Sequence, residues 1–181
     1  MRMLGSIRQS MNGQKMELYN IPHHADTPKI VHGVVEIPKG KSTKYEYDPV
    51  FDQFTLDRCL PSSMCYPCSY GFIPKTMTDD GDALDILIYN DAPISRGTVV
   101  TCRTLGVLDM TDSGEKDWKI IAAPIHHQRD YRSLEDLDQM VLRVLQNFFL
   151  TYKSLEDKIV CVGDWHEKEF AYKIIKESME E

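Results

Sequence analysis

Asp79-Asp80-Gly81-Asp82-Ala83-Leu84-Asp85, followed at once by Ile86-Leu87-Ile88, is an acidic turn running into a strand. Asp80, Asp82 and Asp85 fall within six residues, with Asp79 beside them. Clustered like charges repel, so a folded chain keeps them together only where cations neutralise them or water solvates them well. Hard divalent cations such as magnesium take oxygen ligands of this kind, and Gly81 lets the backbone turn sharply. The plain alternative is a solvated acidic turn, and the segment alone leaves both readings open. A calcium EF-hand fails on register. With Gly81 as the sixth loop residue the first would be Thr76 and the last Leu87, neither a proper ligand.

Outward from this turn the chain alternates short β-branched and aromatic runs with Gly and Pro. Strands are expected at Val31–Ile37, Thr43–Tyr47, Gln53–Asp57, Leu84–Tyr89, Thr98–Leu108, Trp118–Ala123 and Ile159–Val162. Many short strands with turn signals point to a barrel or sandwich. Two helices are expected late. Leu134, Leu137, Val141, Val144, Leu145, Phe148 and Tyr152 form one helical stripe. Ser133 and Asp136 resemble a capping box at its start, and Lys153 suits the dipole at its end. The second helix spans about Glu167 to Met179, with Phe170, Ile174 and Ile175 inward. The class is mainly β with α, a β core with helices outside it.

A chain of 181 residues fits one domain with a real core. Residues 1–29 read as a polar N-terminal arm or extension and residues 30–181 as a single domain. No apolar run reaches the roughly 18 residues of a membrane span, and Met1 to Lys15 lacks the apolar region of a secretory signal. The expectation is a cytoplasmic protein without a membrane partner. The net charge of −7, with no basic stripe, argues against a nucleic-acid partner. Five scattered cysteines read as reduced thiols. Cys65 and Cys68 form a C-x-x-C, but no second pair with zinc spacing follows.

Other residues change the weight of the acidic turn. Lys44 and Glu46 share one face of a strand. Asp117-Trp118-Lys119 repeats the carboxylate–lysine spacing just after Asp112 and Glu115. Each pair alone is an ordinary surface ion pair. Together with the Asp cluster they suit a polyanion bridged by metals, with carboxylates on the metals and cationic side chains on phosphate oxygens. Tyr66 and Tyr70 place hydroxyls between Arg58 and Asp80 in sequence, and Tyr152-Lys153 sets a hydroxyl beside an ammonium. There is no P-loop, no G-x-G-x-x-G after a strand and no G-x-S-x-G elbow.

Asp80-Gly81-Asp82-Ala83-Leu84-Asp85 is similar to the D-G-D-P-[LIV]-D signature of the family I soluble inorganic pyrophosphatases of bacterial type. Several flanking segments follow in that family's order. These are Glu36-Ile37-Pro38, Lys44 to Asp48, Asp57-Arg58, Tyr66-Pro67 to Tyr70-Gly71, Gly106 to Met110, Asp112 to Lys119, and Phe148-Phe149 to Tyr152-Lys153. The likeness covers roughly residues 30–165.

It implies a closed five-stranded OB-type β barrel with peripheral helices. It also implies magnesium-dependent hydrolysis of pyrophosphate to two phosphates, with several Mg²⁺ ions per active site. Asp80, Asp85 and Asp117 would hold a first magnesium, Asp85 a second, and Asp112 with Asp117 a third. Glu46 would act through waters on a metal, and Glu36 and Tyr66 would line the cavity. Lys44, Arg58, Lys119, Tyr152 and Lys153 would hold the phosphates. Tyr70 would hydrogen-bond within the metal cluster, and Asp82 would orient and deprotonate the attacking water. Compact relatives imply a homohexamer. Ala83 departs from the usual proline, and the arm from Met1 to about Gln14 is longer than the family pattern. Two other readings are a metal-dependent nucleotide or polyphosphate hydrolase, and a non-catalytic OB-type binding module. The latter would place exposed aromatics among basic residues, whereas these lie among carboxylates.

Overall fold

The computed structural model describes residues 17–156 and 158–180. In chain order these form β1 (Ile30–Ile37), β2 (Thr43–Asp48), β3 (Gln53–Cys59), β4 (Ser69–Phe72), β5 (Asp85–Ile88) and β6 (Val99–Asp112). β7 (Glu115–Lys116), β8 (Lys119–Pro124), α1 (Gln139–Thr151), β9 (Val160–Glu167) and α2 (Lys168–Ser178) follow. The protein is mainly β with few helices. Most of the expected arm, residues 1–16, lies outside the described residues.

Strand pairing runs β1-β4-β5-β8-β6, and β6 returns to β1, giving a ring of five strands. All of these pairings are antiparallel except β5 with β8. β2 and β3 form a separate hairpin, and β9 pairs with β6. The ring is apolar on both faces, and alternate residues of one strand serve different cores. Leu87 of β5 joins Tyr70, Leu105, Ile121 and the α1 residues Leu145, Phe148 and Phe149. Ile86 and Ile88 join Val31, Val35, Val107, Ile120 and the α2 residues Ala171, Ile174 and Ile175. Burial of such side chains contributes about 1.5–3 kcal/mol each, so a helix on either face is needed to complete the strands. No helix among the described residues is long and apolar enough to cross a membrane.

Each of the seven expected strands forms. β6 continues to Asp112 rather than Leu108, and β9 to Glu167 rather than Val162. β4 and β7 were not anticipated. All four β4 residues are buried, so no alternation marks the strand. At Gly71 a Cβ would lie 1.8 Å from the Val34 carbonyl oxygen, which leaves room for hydrogen alone.

The first expected helix is divided. Leu134–Asp136 is a 3-10 turn closed by the reciprocal Ser133–Asp136 box, and Leu137 is extended at φ −87°, ψ 145°. Asp138 then caps a new helix by accepting the Met140 N–H at 2.8 Å. That restart turns Val144 outward and buries Leu142, Leu145, Phe148 and Phe149. α2 lies close to its expected span, with Ala171, Ile174 and Ile175 inward.

Candidate active site

β5 begins at Asp85 and β8 at Lys119, and the two are partners in the parallel register. Parallel partners lie side by side, so their side chains emerge at the same edge of the ring. The Lys119 ammonium donates to both Asp85 and Asp117, and its side chain is 3% exposed. Burial alone lowers a lysine pKa, but the two carboxylates outweigh it and hold Lys119 above its ordinary value. Asp117 is raised, foremost by burial and further by Asp85, with Lys119 opposing.

The loop before β5 is drawn together by its own polar groups. Gly81 at φ 88° makes the turn. The Thr78 hydroxyl donates to Asp80 Oδ1 at 2.5 Å, and the Asp82 N–H donates to the same oxygen at 3.1 Å. Burial, then the neighbouring Asp80 and Glu46 carboxylates, raise the pKa of Asp82.

The β2–β3 hairpin supplies the opposite wall. Lys44 faces Arg58 across it, and the register slips between Lys44 and Tyr45. The Lys44 ammonium donates to Glu46 and lies 3.4 Å from the Asp57 carboxylate. These acids outweigh burial and raise Lys44. The Arg58 guanidinium lies 3.5 Å from Glu156. Its Nε is buried with no hydrogen-bond partner among the described residues. It lies 3.8 Å from the Asp57 carboxylate, so its charge is offset by an ion pair rather than by a hydrogen bond.

Two more segments complete the enclosure. Between β6 and β7, Ser113 (φ 52°) and Gly114 (φ 92°) form a tight turn next to Asp112. Asp112 accepts from the Lys153 ammonium and, at 3.0 Å, from the Ser113 hydroxyl. Burial opposes them, yet these donors hold its carboxyl below the usual range. Burial, with Arg58 and Lys158 nearby, holds Lys153 below its ordinary value despite Asp112. Glu36 on β1 is 7% exposed and accepts the Tyr47 N–H at 2.7 Å. Burial pushes its carboxyl up to about 8. Tyr66, Tyr70 and Tyr152 pack with Phe148 and Phe149 at ring separations of 4.9–6.5 Å. Burial raises all three phenols, so each is a protonated donor at neutral pH.

These elements enclose a cavity of about 760 Å³. All fourteen residues singled out from the sequence line it: Glu36, Lys44, Glu46, Arg58, Tyr66, Tyr70, Asp80, Asp82, Asp85, Asp112, Asp117, Lys119, Tyr152 and Lys153. Lys158 lines it as well, and Asp57 and Glu156 bind its cations. Sequence reading matched Asp57-Arg58 as a pair but gave Asp57 no role, and it passed over Glu156 and Lys158. A role for Asp57 could have been found, one residue before Arg58 on a strand. Glu156 and Lys158 stand in a turn after α1 with no pattern to mark them.

Among the described residues, no three carboxylate, imidazole or thiol groups are gathered as a ready metal-holding set. Glu46, Asp85, Asp112 and Asp117 are paired with ammonium groups instead, and Asp80 accepts from the Thr78 hydroxyl. The donor chemistry nevertheless fits a hard divalent cation: oxygen ligands alone, on several segments, around one cavity. Asp85 and Asp117 already converge on a single positive charge, the Lys119 ammonium.

The family model for inorganic pyrophosphatase matches residues 33–181. The chain belongs to the soluble inorganic pyrophosphatases of family I. As a member it is an enzyme, a phosphoanhydride hydrolase. The inorganic pyrophosphatase of Geobacillus stearothermophilus is 44% identical over 151 residues, covering 82% of this chain and 92% of that one. The Synechocystis protein of the same name is 39% identical over 166 residues, covering 90% and 96%. The crystal structure of the inorganic pyrophosphatase from Thermus thermophilus superposes with a TM-score of 0.87 at 37% identity, covering 91% and 97%.

Proposed function

We propose that this chain hydrolyses pyrophosphate to two orthophosphates in a magnesium-dependent reaction at the cavity described above. The observation that carries the reading is the pairing of Lys44, Lys119 and Lys153 with carboxylates from four separate segments around one enclosure. Asp80, Asp85, Asp112 and Asp117 would hold several magnesium ions, with Glu46 acting through water. Bound magnesium supplies an acidified water as nucleophile and neutralises charge on the phosphates.

The chain's own groups do the rest. Lys44, Arg58, Lys119 and Lys153, with the Tyr152 hydroxyl, hold the substrate's phosphate oxygens and stabilise charge on the leaving phosphate. The place of Arg58 on the cavity wall, facing Lys44 across the hairpin, supports its membership of that set. Asp82 takes the proton of the attacking water. Tyr70 donates a hydrogen bond within the acidic group. Glu36 and Tyr66 line the wall.

The same reading takes the five-stranded ring as a closed OB-type barrel. It takes residues 30–181 as one domain preceded by an arm, and the protein as a cytoplasmic homohexamer without nucleic-acid or membrane partners. The family likeness and the charge of −7 support it.

Phosphate release from pyrophosphate, tripolyphosphate and ATP tests the proposal, each measured with magnesium and with excess chelator. Pyrophosphate should be preferred, and chelator should abolish turnover until magnesium is restored. Full activity in chelator, or preference for ATP, would defeat it.

A further inference from the structure

The limb from Ile73 to Thr78, which leads into Asp80 and Asp82, is held from both ends of the chain. On the C-terminal side, the Met77 N–H donates to the Ser178 carbonyl at 2.7 Å and the Glu180 N–H to the Lys75 carbonyl at 2.9 Å. On the N-terminal side, the Lys75 N–H donates to the Tyr19 carbonyl at 3.0 Å. The Tyr19 hydroxyl lies 2.7 Å from the Thr76 carbonyl oxygen and 2.7 Å from a Glu180 carboxylate oxygen. Its ring stacks on Phe72, with centroids 6.4 Å apart and planes at 27°. Both partners are acceptors and the phenol has one proton, so the hydroxyl divides its bond between segments 57 and 161 positions away in sequence.

Thr76 passes that restraint on. It is fully buried. Its hydroxyl donates to the Ile73 carbonyl at 2.5 Å and accepts the Leu84 N–H at 2.9 Å, one residue before Asp85. Two residues on, the Thr78 N–H donates to the Asp82 carbonyl at 2.8 Å, and the Thr78 hydroxyl holds Asp80. Both limbs of the acidic loop are thus bonded to Thr76 or to its near neighbour. Lys75 adopts φ 54°, a left-handed conformation that costs a non-glycine residue about 1–3 kcal/mol unless its surroundings enforce it. The bonds from Tyr19 and Glu180 are what surround it.

We propose that Tyr19 is a positioning residue for the reaction: its hydroxyl, joining the Thr76 carbonyl to Glu180, sets how far Asp80 and Asp82 reach into the cavity. The proposal rests on the pyrophosphatase reading above. Tyr19 also lines the cavity, but its hydroxyl bonds the Thr76 backbone and Glu180 rather than any of the cavity acids, so it acts through the loop. Burial first, then Glu180, raise its phenol, so it stays a donor throughout the neutral range. The second grip, from Ser178 and Glu180, is main-chain and survives a change at Tyr19.

The test uses the full-length protein with Tyr19→Phe, which removes the hydroxyl but keeps the ring on Phe72 and the carbonyl on Lys75. Glu180→Gln is the conservative companion, since it retains an acceptor. Misplacing a catalytic group by 1 Å can cost on the order of 10²-fold, and a loosened loop should cost less. Tyr19→Phe should lower kcat about tenfold, raise the magnesium concentration for half-activity, and leave KM little changed. Glu180→Gln should retain most of the turnover. Amide exchange at Thr78 to Asp82 should quicken roughly 2- to 10-fold in Tyr19→Phe, the loss of one hydrogen bond, with β1 and β4 unchanged.

Unchanged exchange in that loop would overturn the proposal whatever the activity. So would faster exchange with wild-type kcat and magnesium requirement. A kcat loss that tracks global unfolding and vanishes on cooling would show a merely structural bond. If the wild-type protein releases no phosphate from pyrophosphate, the functional reading fails, and the exchange data still report on the latch separately.

Discussion

Glu36→Gln isolates one buried carboxyl. Glu36 is 7% exposed, and its Oε1 accepts the Tyr47 N–H at 2.7 Å. Glutamine keeps that acceptor and removes the charge. Burial raises the folded carboxyl to about 8 from an ordinary 4.5, further pushed by Asp85 and Glu46 and opposed by the Tyr47 N–H and Lys44. A raised folded value means the folded state binds the proton more tightly. The stability it contributes is therefore complete below pH 4.5 and is lost as pH rises to about 8. At about 1.36 kcal/mol per pH unit, the loss reaches about 3 kcal/mol at pH 7 and about 5 kcal/mol at pH 9. Glutamine has no such dependence. Urea unfolding of both proteins in chelator, at pH 5, 7 and 9, should show the variant gaining on the wild type by about 3–4 kcal/mol across the range. Parallel stability curves would refute the reasoning, showing that Glu36 titrates as an ordinary solvated carboxylate.

Asp85→Asn should raise the magnesium concentration for half-activity, and saturation should not restore full turnover. Asp82→Asn should bind magnesium nearly normally and turn over about 10²–10⁴-fold more slowly, with partial recovery at high pH. Magnesium titrations of activity at several pH values distinguish them, and rescue of Asp82→Asn by magnesium alone would make Asp82 a ligand. Ala83→Pro should stabilise the protein by about 0.4–1 kcal/mol with turnover nearly unchanged, as thermal unfolding and kinetics would show, because the Ala83 N–H donates no hydrogen bond among the described residues. Sedimentation should find a closed oligomer, a hexamer, and a fully active monomer at micromolar concentration would contradict that.

The strands were legible where runs of β-branched and apolar residues are punctuated by Gly and Pro, as in β1, β5 and β8. It was illegible at β4, where Ser69-Tyr70-Gly71-Phe72 is covered on both sides and small residues serve close approach rather than pattern. The inward face of the long helix was legible, since Leu145, Phe148 and Tyr152 are buried as expected, but its start was misplaced: Asp138 restarts the backbone as a cap, and Val144 turns outward. The cavity residues themselves could be named from motif resemblance, since a six-residue acidic turn and paired lysines carry their own spacing. What the sequence could not show was the partnership of those charges. Nothing in the spacing of Asp85 and Lys119, 34 positions apart, announces that they share a parallel register. Glu156 reaches Arg58 from a turn with no local mark.

That parallel register has a consequence for how the molecule is made. β5 and β8 are parallel neighbours separated in sequence by the long strand β6, so Asp85 and Lys119, 34 positions apart, meet only by a non-local loop closure. The hairpin with Lys44 and Arg58 can form locally, and α1, which ends at Thr151 just before Tyr152 and Lys153, can coil locally. Neither holds a cavity until the ring is joined. During synthesis or refolding, secondary structure and the hairpin should therefore precede any capacity to bind a polyanion. Recovery of turnover would then time the last long-range closure of the chain.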